Sequence, residues 1–337
     1  MTLRLAINGF GRIGRNILRA LNENPRGDMQ IVAINDLAPA QSLAHLLKFD
    51  SVHGRFPGKI TATDDTIDYG QGPIRVTAER DPANLPWAEE KIDIVLECTG
   101  FFTDADSAGK HITAGAKKVL ISAPGKSGVK TIVYGVNHNT INSDDNVLSN
   151  ASCTTNCLAP LAMVLDEAFG IESGFMTTIH SYTGDQPTLD AVHKDPYRGR
   201  AAALSMVPTT TGAAKALSLV LPRLKGKIDG VAMRVPTPNV SCVDLVVNLS
   251  QDVTVESVNS ALSKAANGPL SGVLAVSDED MVSIDLNHDP HSSTAMLNQT
   301  YVNQSRLVRV MGWYDNEWGF SNRMLDTAAV MGSFISE

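Results

Sequence analysis

Only four cysteines occur in the 337-residue chain, at positions 98, 153, 157 and 242. Their spacings form neither a disulfide framework nor the paired pattern of a structural zinc site, which suits a reducing, cytoplasmic setting. No uncharged apolar run reaches the roughly 18 residues that a bilayer-spanning helix needs. Arg4 interrupts the short apolar start at 3–7, so no secretory leader is expected either. Positive charge is also scarce: 28 Lys and Arg against 36 Asp and Glu leave a net charge of −8. That balance excludes a broadly basic nucleic-acid-binding surface, though a few local arginines can still serve a small anion. Repeats, low-complexity tracts and charge blocks are missing too. What is present is an ordinary globular composition, 43% hydrophobic and 19% charged, in a chain long enough for two domains.

The first half alternates short apolar runs with helical patterns, the rhythm of a parallel sheet with crossover helices. Strands are expected at 3–8, 30–35, 93–98, 118–122 and around 131–134, with a helix at 12–21. The less regular stretch 39–81 predicts a helix over 41–47 and a hairpin. Past residue 150 the character changes. A helix opening near Thr154 is followed by β-rich stretches at 175–179, 230–235, 240–249, 281–284 and 307–313. Between them, residues 181–208 carry few periodic features, and an irregular segment of that length is usually functional. Met324, Ala328, Met331 and Ile335 recur at helical spacing and predict a final helix packed on an earlier element.

Gly9, Gly11 and Gly14 form a G-x-G-x-x-G pattern directly after the first strand and at the mouth of the first helix. Glycines there permit a tight turn, close approach of backbone to a pyrophosphate, and helix–strand packing. Asp36 closes the second strand, 22 positions after Gly14, where an acid accepts hydrogen bonds from an adenosine ribose. Alone, the glycine pattern describes any tight strand–helix turn. With strand, helix and acid in place it reads as a dinucleotide site.

Cys153 follows the small polar run Ser149-Asn150-Ala151-Ser152, and Leu158, Leu161 and Leu165 mark a helix after it. A cysteine at a helix N-terminus faces the positive end of the dipole, which favours the thiolate. Cys157, one turn deeper, and Cys98 and Cys242, in strands, are expected to be buried and inert. Among eight histidines, His180 ends a strand and opens the long loop, which makes it one candidate base. His288 and His291 flank Asp289-Pro290, where a plain loop is simpler than a metal site. His45, His53, His111, His138 and His193 read as structural or surface positions. Thr209-Thr210-Thr211-Gly212 leads into a helix at 213–221, either a phosphate cradle or a simple N-cap run. Arg198, Arg200 and Arg234 are available cations.

With these residues in view, the chain resembles phosphorylating glyceraldehyde-3-phosphate dehydrogenases over essentially its whole length. The matching stretches are 8–14, 151–156, 180–186, 211–215, 234–240 and 313–318. The resemblance implies an α/β protein with a Rossmann dinucleotide-binding domain at 1–151 and 316–337. It also implies an α+β catalytic domain at 152–315 with a mixed, largely antiparallel sheet. Carried over position by position, it makes Cys153 the nucleophile and His180 its base. Ser152, Thr154, Thr211 and Gly212, with Arg198, match positions that contact an attacking inorganic phosphate. Thr183 and Arg234 match those holding the substrate's own phosphate. Gly9, Gly11, Arg12, Ile13, Gly14, Asp36, Arg80, Ser122 and Asn316 match cofactor positions, Asn316 at the nicotinamide amide; no metal is implied. The implied activity is oxidation of D-glyceraldehyde 3-phosphate with NAD and inorganic phosphate to 1,3-bisphosphoglycerate, through a cysteine thioester. The implied assembly is a cytoplasmic homotetramer working in glycolysis or gluconeogenesis.

There are departures. Phe320 stands where an aromatic with a hydroxyl is common, and Arg80 where lysine is frequent. Ala191-Val192 replaces the proline-containing pair common in strictly NAD-using members. Asp36 favours NAD by repelling a 2′-phosphate, so NADP is expected to serve at lower efficiency. Segments 45–56 and 282–291 are also similar to erythrose-4-phosphate dehydrogenase, the alternative within the class. The runs Ser-Tyr-Thr-Gly-Asp at 181–185 and Thr-Gly-Ala-Ala-Lys at 211–215 favour the glyceraldehyde enzyme. A catalytically idle scaffold is disfavoured by Cys153, His180 and the acidic balance.

Overall fold

The computed structural model describes residues 2–335, in two compact units: Met1–Ala151 with Ser321–Glu337, and Ser152–Phe320. Among the described residues no helix is long and apolar enough to cross a membrane.

The first unit is built on a nine-stranded sheet. Its parallel strands lie in the order Lys130–Thr131, Val147–Ser149, Lys118–Ile121, Ile94–Glu97, Leu3–Asn8, Met29–Asn35, Pro73–Thr77. A short antiparallel pair, Thr66–Asp68 and Thr61–Ala62, closes one edge. Helices α1 (Arg12–Glu23), α2 (Ala40–Lys48) and α3 (Ala105–Thr113) occupy the crossovers. Central strands of a parallel sheet are covered on both faces, so they read as unbroken apolar runs rather than alternating ones. Ile94–Glu97 and Lys118–Ile121 are accordingly buried at every position. The chain proceeds outward from Leu3–Asn8 on one side and then returns to add Ile94–Glu97 on the other. This reversal opens a crevice beyond the strands' carboxyl ends, the usual place for a ligand in such sheets.

The second unit carries a mixed, largely antiparallel sheet. Its order is Val207–Thr210, Ile228–Val235, Ile171–Ser181, Ser241–Leu249, Leu307–Tyr314, Ser293–Met296, Leu274–Ser277. Ile171–Ser181 pairs parallel with Ile228–Val235 and antiparallel with Ser241–Leu249. Helix α4 (Cys153–Phe169) is buried along most of its length and ends at Gly170, whose φ of 71° suits glycine. Helices α5 (Ala213–Val220) and α6 (Val255–Ala266) complete the unit.

Helix α7 (Trp318–Gly332) buries Met324, Ala328 and Met331 as its spacing predicts, but Ile335 lies beyond its end. The second compact unit runs to Phe320, and Ser321 onward groups with the first. The first turn of α7 belongs with the second unit, where Trp318 stacks on His288 at 3.5 Å and Asp315 accepts from the Trp318 N–H. The strand expected at 131–134 stops at Thr131, because Asn137 bonds both Thr131 O and Val133 N and turns the chain. Residues 281–284 are not a strand. Asp285 accepts from the Val282 N–H and starts a 3-10 turn, Ser283–Leu286, with Val282 and Ile284 exposed.

Candidate active site

The crevice of the first unit is a cleft of about 390 Å³, within the range of small-molecule sites. Gly9, Gly11, Asp36 and Arg80 line it, together with Asn8, Asn35, Glu79, Cys98, Thr99 and Phe101. Gly9 has a φ of 91°, and a Cβ there would lie 2.8 Å from Thr99 N, so only glycine fits. A Cβ on Gly14 would meet Gly9 O at 2.4 Å, which lets α1 approach the turn closely. No side chain caps α1 at Gly11, where Arg12 and Ile13 open the helix, an arrangement that suits a pyrophosphate. Asp36 accepts from Phe10 N at 2.8 Å and Ala38 N at 3.1 Å, and so braces the glycine turn from the end of its strand. The Arg12 guanidinium pairs with Asp50. Burial would raise Asp50, but the His53 and Val52 N–H groups and Arg12 outweigh it and hold the carboxyl at about 2. Ser122 follows Lys118–Ile121 and lies beside the Cys98 thiol, whose pKa its hydroxyl acts to lower. Cys98 departs from expectation: it sits just past its strand, half-buried on the cleft wall, and desolvation pushes its thiol up to about 12.

In the second unit, Ser152 caps α4 by accepting from Thr155 N, and Cys153 begins the helix. Ala151 ahead of it has a φ of 57°, a left-handed conformation that turns the chain into α4. Cys153 Sγ lies 3.6 Å from Nε2 of the buried His180. His180 Nδ1 is 2.7 Å from Ser181 O. A carbonyl only accepts, so Nδ1 carries the proton and Nε2 presents a lone pair to the thiol. Burial first, then the Arg234 charge, lowers His180 to about 3. Burial also raises the Cys153 thiol, more than Arg234 and the bonds of its own helix turn lower it. The helix terminus favours a thiolate, whereas burial at this site favours the neutral thiol beside a neutral imidazole.

Arg234 Nη1 bonds Ser181 O at 3.1 Å and Thr183 Oγ1 at 3.2 Å, while its buried Nε has no partner among the described residues. Thr183 and Arg234 thus meet beside the thiol pair with donors to spare. Arg198 acts at longer range: its charge lowers both His180 and Arg234, while its guanidinium pairs with Asp185 and bonds Thr209. Ser152 Oγ is engaged with Thr155, Thr211 Oγ1 accepts from Ala213 N, and Gly212 is the uncapped N-terminus of α5. Among the described residues, none of these three bonds the Cys153–His180 pair. Asn316 Oδ1 accepts from Ser181 Oγ at 2.9 Å and Ser241 Oγ at 2.8 Å, which leaves its amide N–H₂ to donate elsewhere.

Sequence reasoning did not find Tyr314. Its hydroxyl bonds Thr154 and Thr178, both at 2.9 Å, and its ring meets His180 edge-on. A tyrosine ending a buried strand carries a polar tip that must find partners, the one signal that marks it. His288 and His291 serve the fold, by stacking on Trp318 and bonding Asp289 respectively.

A glycine-braced cleft on a parallel sheet, together with a second unit holding a thiol–imidazole pair on a mixed sheet, fits a nicotinamide-dependent oxidoreductase. The chain belongs to the glyceraldehyde 3-phosphate dehydrogenase family: residues 3–105 match its NAD binding domain and 152–316 its C-terminal domain. It is 64% identical over 335 residues to the glyceraldehyde-3-phosphate dehydrogenase of Cereibacter sphaeroides, covering 99% of this chain and 100% of that one. It is 60% identical to that of Xanthobacter flavus (98% and 99% covered) and 56% identical to that of Geobacillus stearothermophilus (99% of each).

Proposed function

We propose that this protein oxidises D-glyceraldehyde 3-phosphate with NAD and inorganic phosphate to 1,3-bisphosphoglycerate, through a thioester on Cys153. The observation that carries this reading is the His180 tautomer, whose free Nε2 faces the thiol at 3.6 Å. Cys153 adds to the aldehyde carbon as its thiol proton passes to His180 Nε2, which hands it on to the former carbonyl oxygen to make the thiohemiacetal hydroxyl. The thiohemiacetal hydroxyl then gives its proton to the same nitrogen as the carbon is oxidised. NAD, when bound, accepts the hydride. A neutral imidazole is the form able to take these protons, and burial keeps it so. The substrate's phosphate falls to Arg234 and Thr183, whose free donors suit it. The attacking phosphate falls to Ser152, Thr154, Thr211, Gly212 and Arg198; it cleaves the thioester to an acyl phosphate and frees the thiol. Asn316, with its oxygen held by two serines, is left to offer N–H to the nicotinamide amide.

Arg80, Asp36, Ser122, Arg12, Ile13 and the three glycines Gly9, Gly11 and Gly14 make up the cofactor's share, with NADP as a poorer substitute. Four free cysteines suit a cytoplasmic setting, and exposed Leu189, Leu204 and Met206 on the long loop support self-association, as the proposed homotetramer requires. A steady-state assay with glyceraldehyde 3-phosphate, with and without inorganic phosphate, tests the reading. Turnover should require phosphate and yield acyl phosphate; equal turnover without phosphate, releasing the acid, would overturn it.

A further inference from the structure

Glu97 and His111 are both wholly buried in the first unit, and no step of the reaction uses either. Glu97 closes the strand Ile94–Glu97, directly beneath the cleft. Its Oε2 accepts from Asn8 Nδ2 at 2.6 Å and meets His111 Nε2 at 2.9 Å. Its Oε1 accepts from Thr99 N at 2.8 Å and from the Thr99 hydroxyl. Trp87 Nε1 lies 2.9 Å from His111 Nδ1. An indole N–H only donates, so Nδ1 accepts and the ring carries its proton on Nε2, aimed at Glu97. All four contacts on the carboxylate are therefore donors.

The bonds continue outward. Asn8 Oδ1 accepts from Asn35 Nδ2 at 2.7 Å, and Asn35 Oδ1 accepts from Glu79 N at 2.9 Å. On the other side, Thr99 Oγ1 accepts from Phe101 N at 3.1 Å. One buried carboxylate thus ties together the turns that follow four parallel strands, and those turns form the cleft wall. We propose that Glu97, aimed by His111, is a positioning residue for the dinucleotide. It holds the Thr99–Phe101 turn and, through Asn8 and Asn35, the Glu79 turn in the conformation the adenosine half requires. Preorganised loops save the ordering cost at the moment of binding, so affinity is where this device acts. The inference rests on the reading of the cleft as the NAD site.

Direct titration of NAD and of ADP-ribose into the full-length protein tests it. Glu97→Gln places an N–H₂ against donors, so both dissociation constants should rise tenfold or more. KM for NAD should rise likewise, with kcat moving less than threefold, and the Thr99 and Phe101 amides should exchange faster with solvent. His111→Gln keeps a donor and should bind NAD better than His111→Leu. If the Glu97 and His111 variants do not fold, Trp87→Phe remains: it removes the indole N–H that fixes the tautomer without touching the carboxylate, and NAD should bind about three- to fivefold more weakly. Wild-type dissociation constants in folded Glu97→Gln, or in Trp87→Phe when the others do not fold, would overturn the proposal. Equal binding by the two folded His111 variants would overturn it as well. A wild type that binds no NAD would instead remove the cleft reading itself.

Discussion

His180 and Arg234 stand in register on neighbouring parallel strands, and both donate to one carbonyl, Ser181 O. The 3.3 Å approach of Arg234 Nη1 to His180 Nδ1 therefore sets two donors side by side. The guanidinium charge adds to burial in keeping the imidazole neutral, at about 3. One arginine thus helps keep this imidazole neutral while its Nε stays without a partner among the described residues.

Replacing the nucleophile separates chemistry from folding. Cys153→Ser should abolish turnover and leave NAD titration largely unchanged, because the glycine turn and Asp36, which carry most of the cofactor's share, lie on a different sheet. Cys157→Ser should retain turnover but lose about 1–3 kcal/mol of stability, since Cys157 is fully buried against Ser293 and Gly312 O. A Cys153→Ser enzyme with a tenth of normal turnover would rule out the covalent route.

The base is expected to show itself in rate and in pH dependence. His180→Asn should slow acylation by about 10² to 10⁴. His180 is lowered in the fold, so between pH 6.5 and about 3 the unfolded chain binds a proton that the folded chain refuses. Stability is untouched above that window and is lost as the pH falls through it. Between pH 6.5 and 4.5, the unfolding free energy from urea titration should therefore drop less in His180→Asn than in wild type, by roughly 2–3 kcal/mol. Parallel pH profiles for the two proteins would show that His180 is not buried neutral.

Arg234→Leu should lower kcat/KM for glyceraldehyde 3-phosphate by about 10- to 100-fold, the worth of a hydrogen bond to a charged group. Unphosphorylated glyceraldehyde should suffer far less. Removing the charge should also let His180 titrate at higher pH, which an alkylation-rate profile of Cys153 would register. Equal losses on both substrates would mean that Arg234 does not hold the phosphate.

Cofactor choice turns on Asp36. NAD should be preferred to NADP by about tenfold or more in kcat/KM, roughly 1.4 kcal/mol, because the carboxylate repels a 2′-phosphate. Asp36→Ala should narrow that gap. It should also weaken NAD itself, since the Phe10 N–H of the glycine turn loses its acceptor. A wild type that uses NADP as well as NAD would refute the role given to this carboxylate.

Short-range chemistry was legible in the sequence. The glycine turn, Asp36 just past its strand, the helix that begins at Cys153 and the strand that carries His180 near its end all follow from local spacing, burial pattern and backbone freedom. Elements with little apolar pattern were not legible. Helix α3 buries only Ala108 and His111, helix α6 only Val258 and Leu262, and Ser293–Met296 is a buried strand of mostly small residues. What tertiary structure alone decided is which distant side chains share a partner. Arg234 meets His180 through strand register across 54 residues, Tyr314 reaches Thr154 and Thr178, and Asn316 is turned by Ser181 and Ser241. The protonation of the thiol pair belongs to the same class. A helix terminus is visible in the sequence, but the desolvation that outweighs it at Cys153 arises only when the sheet and its helices close over the site.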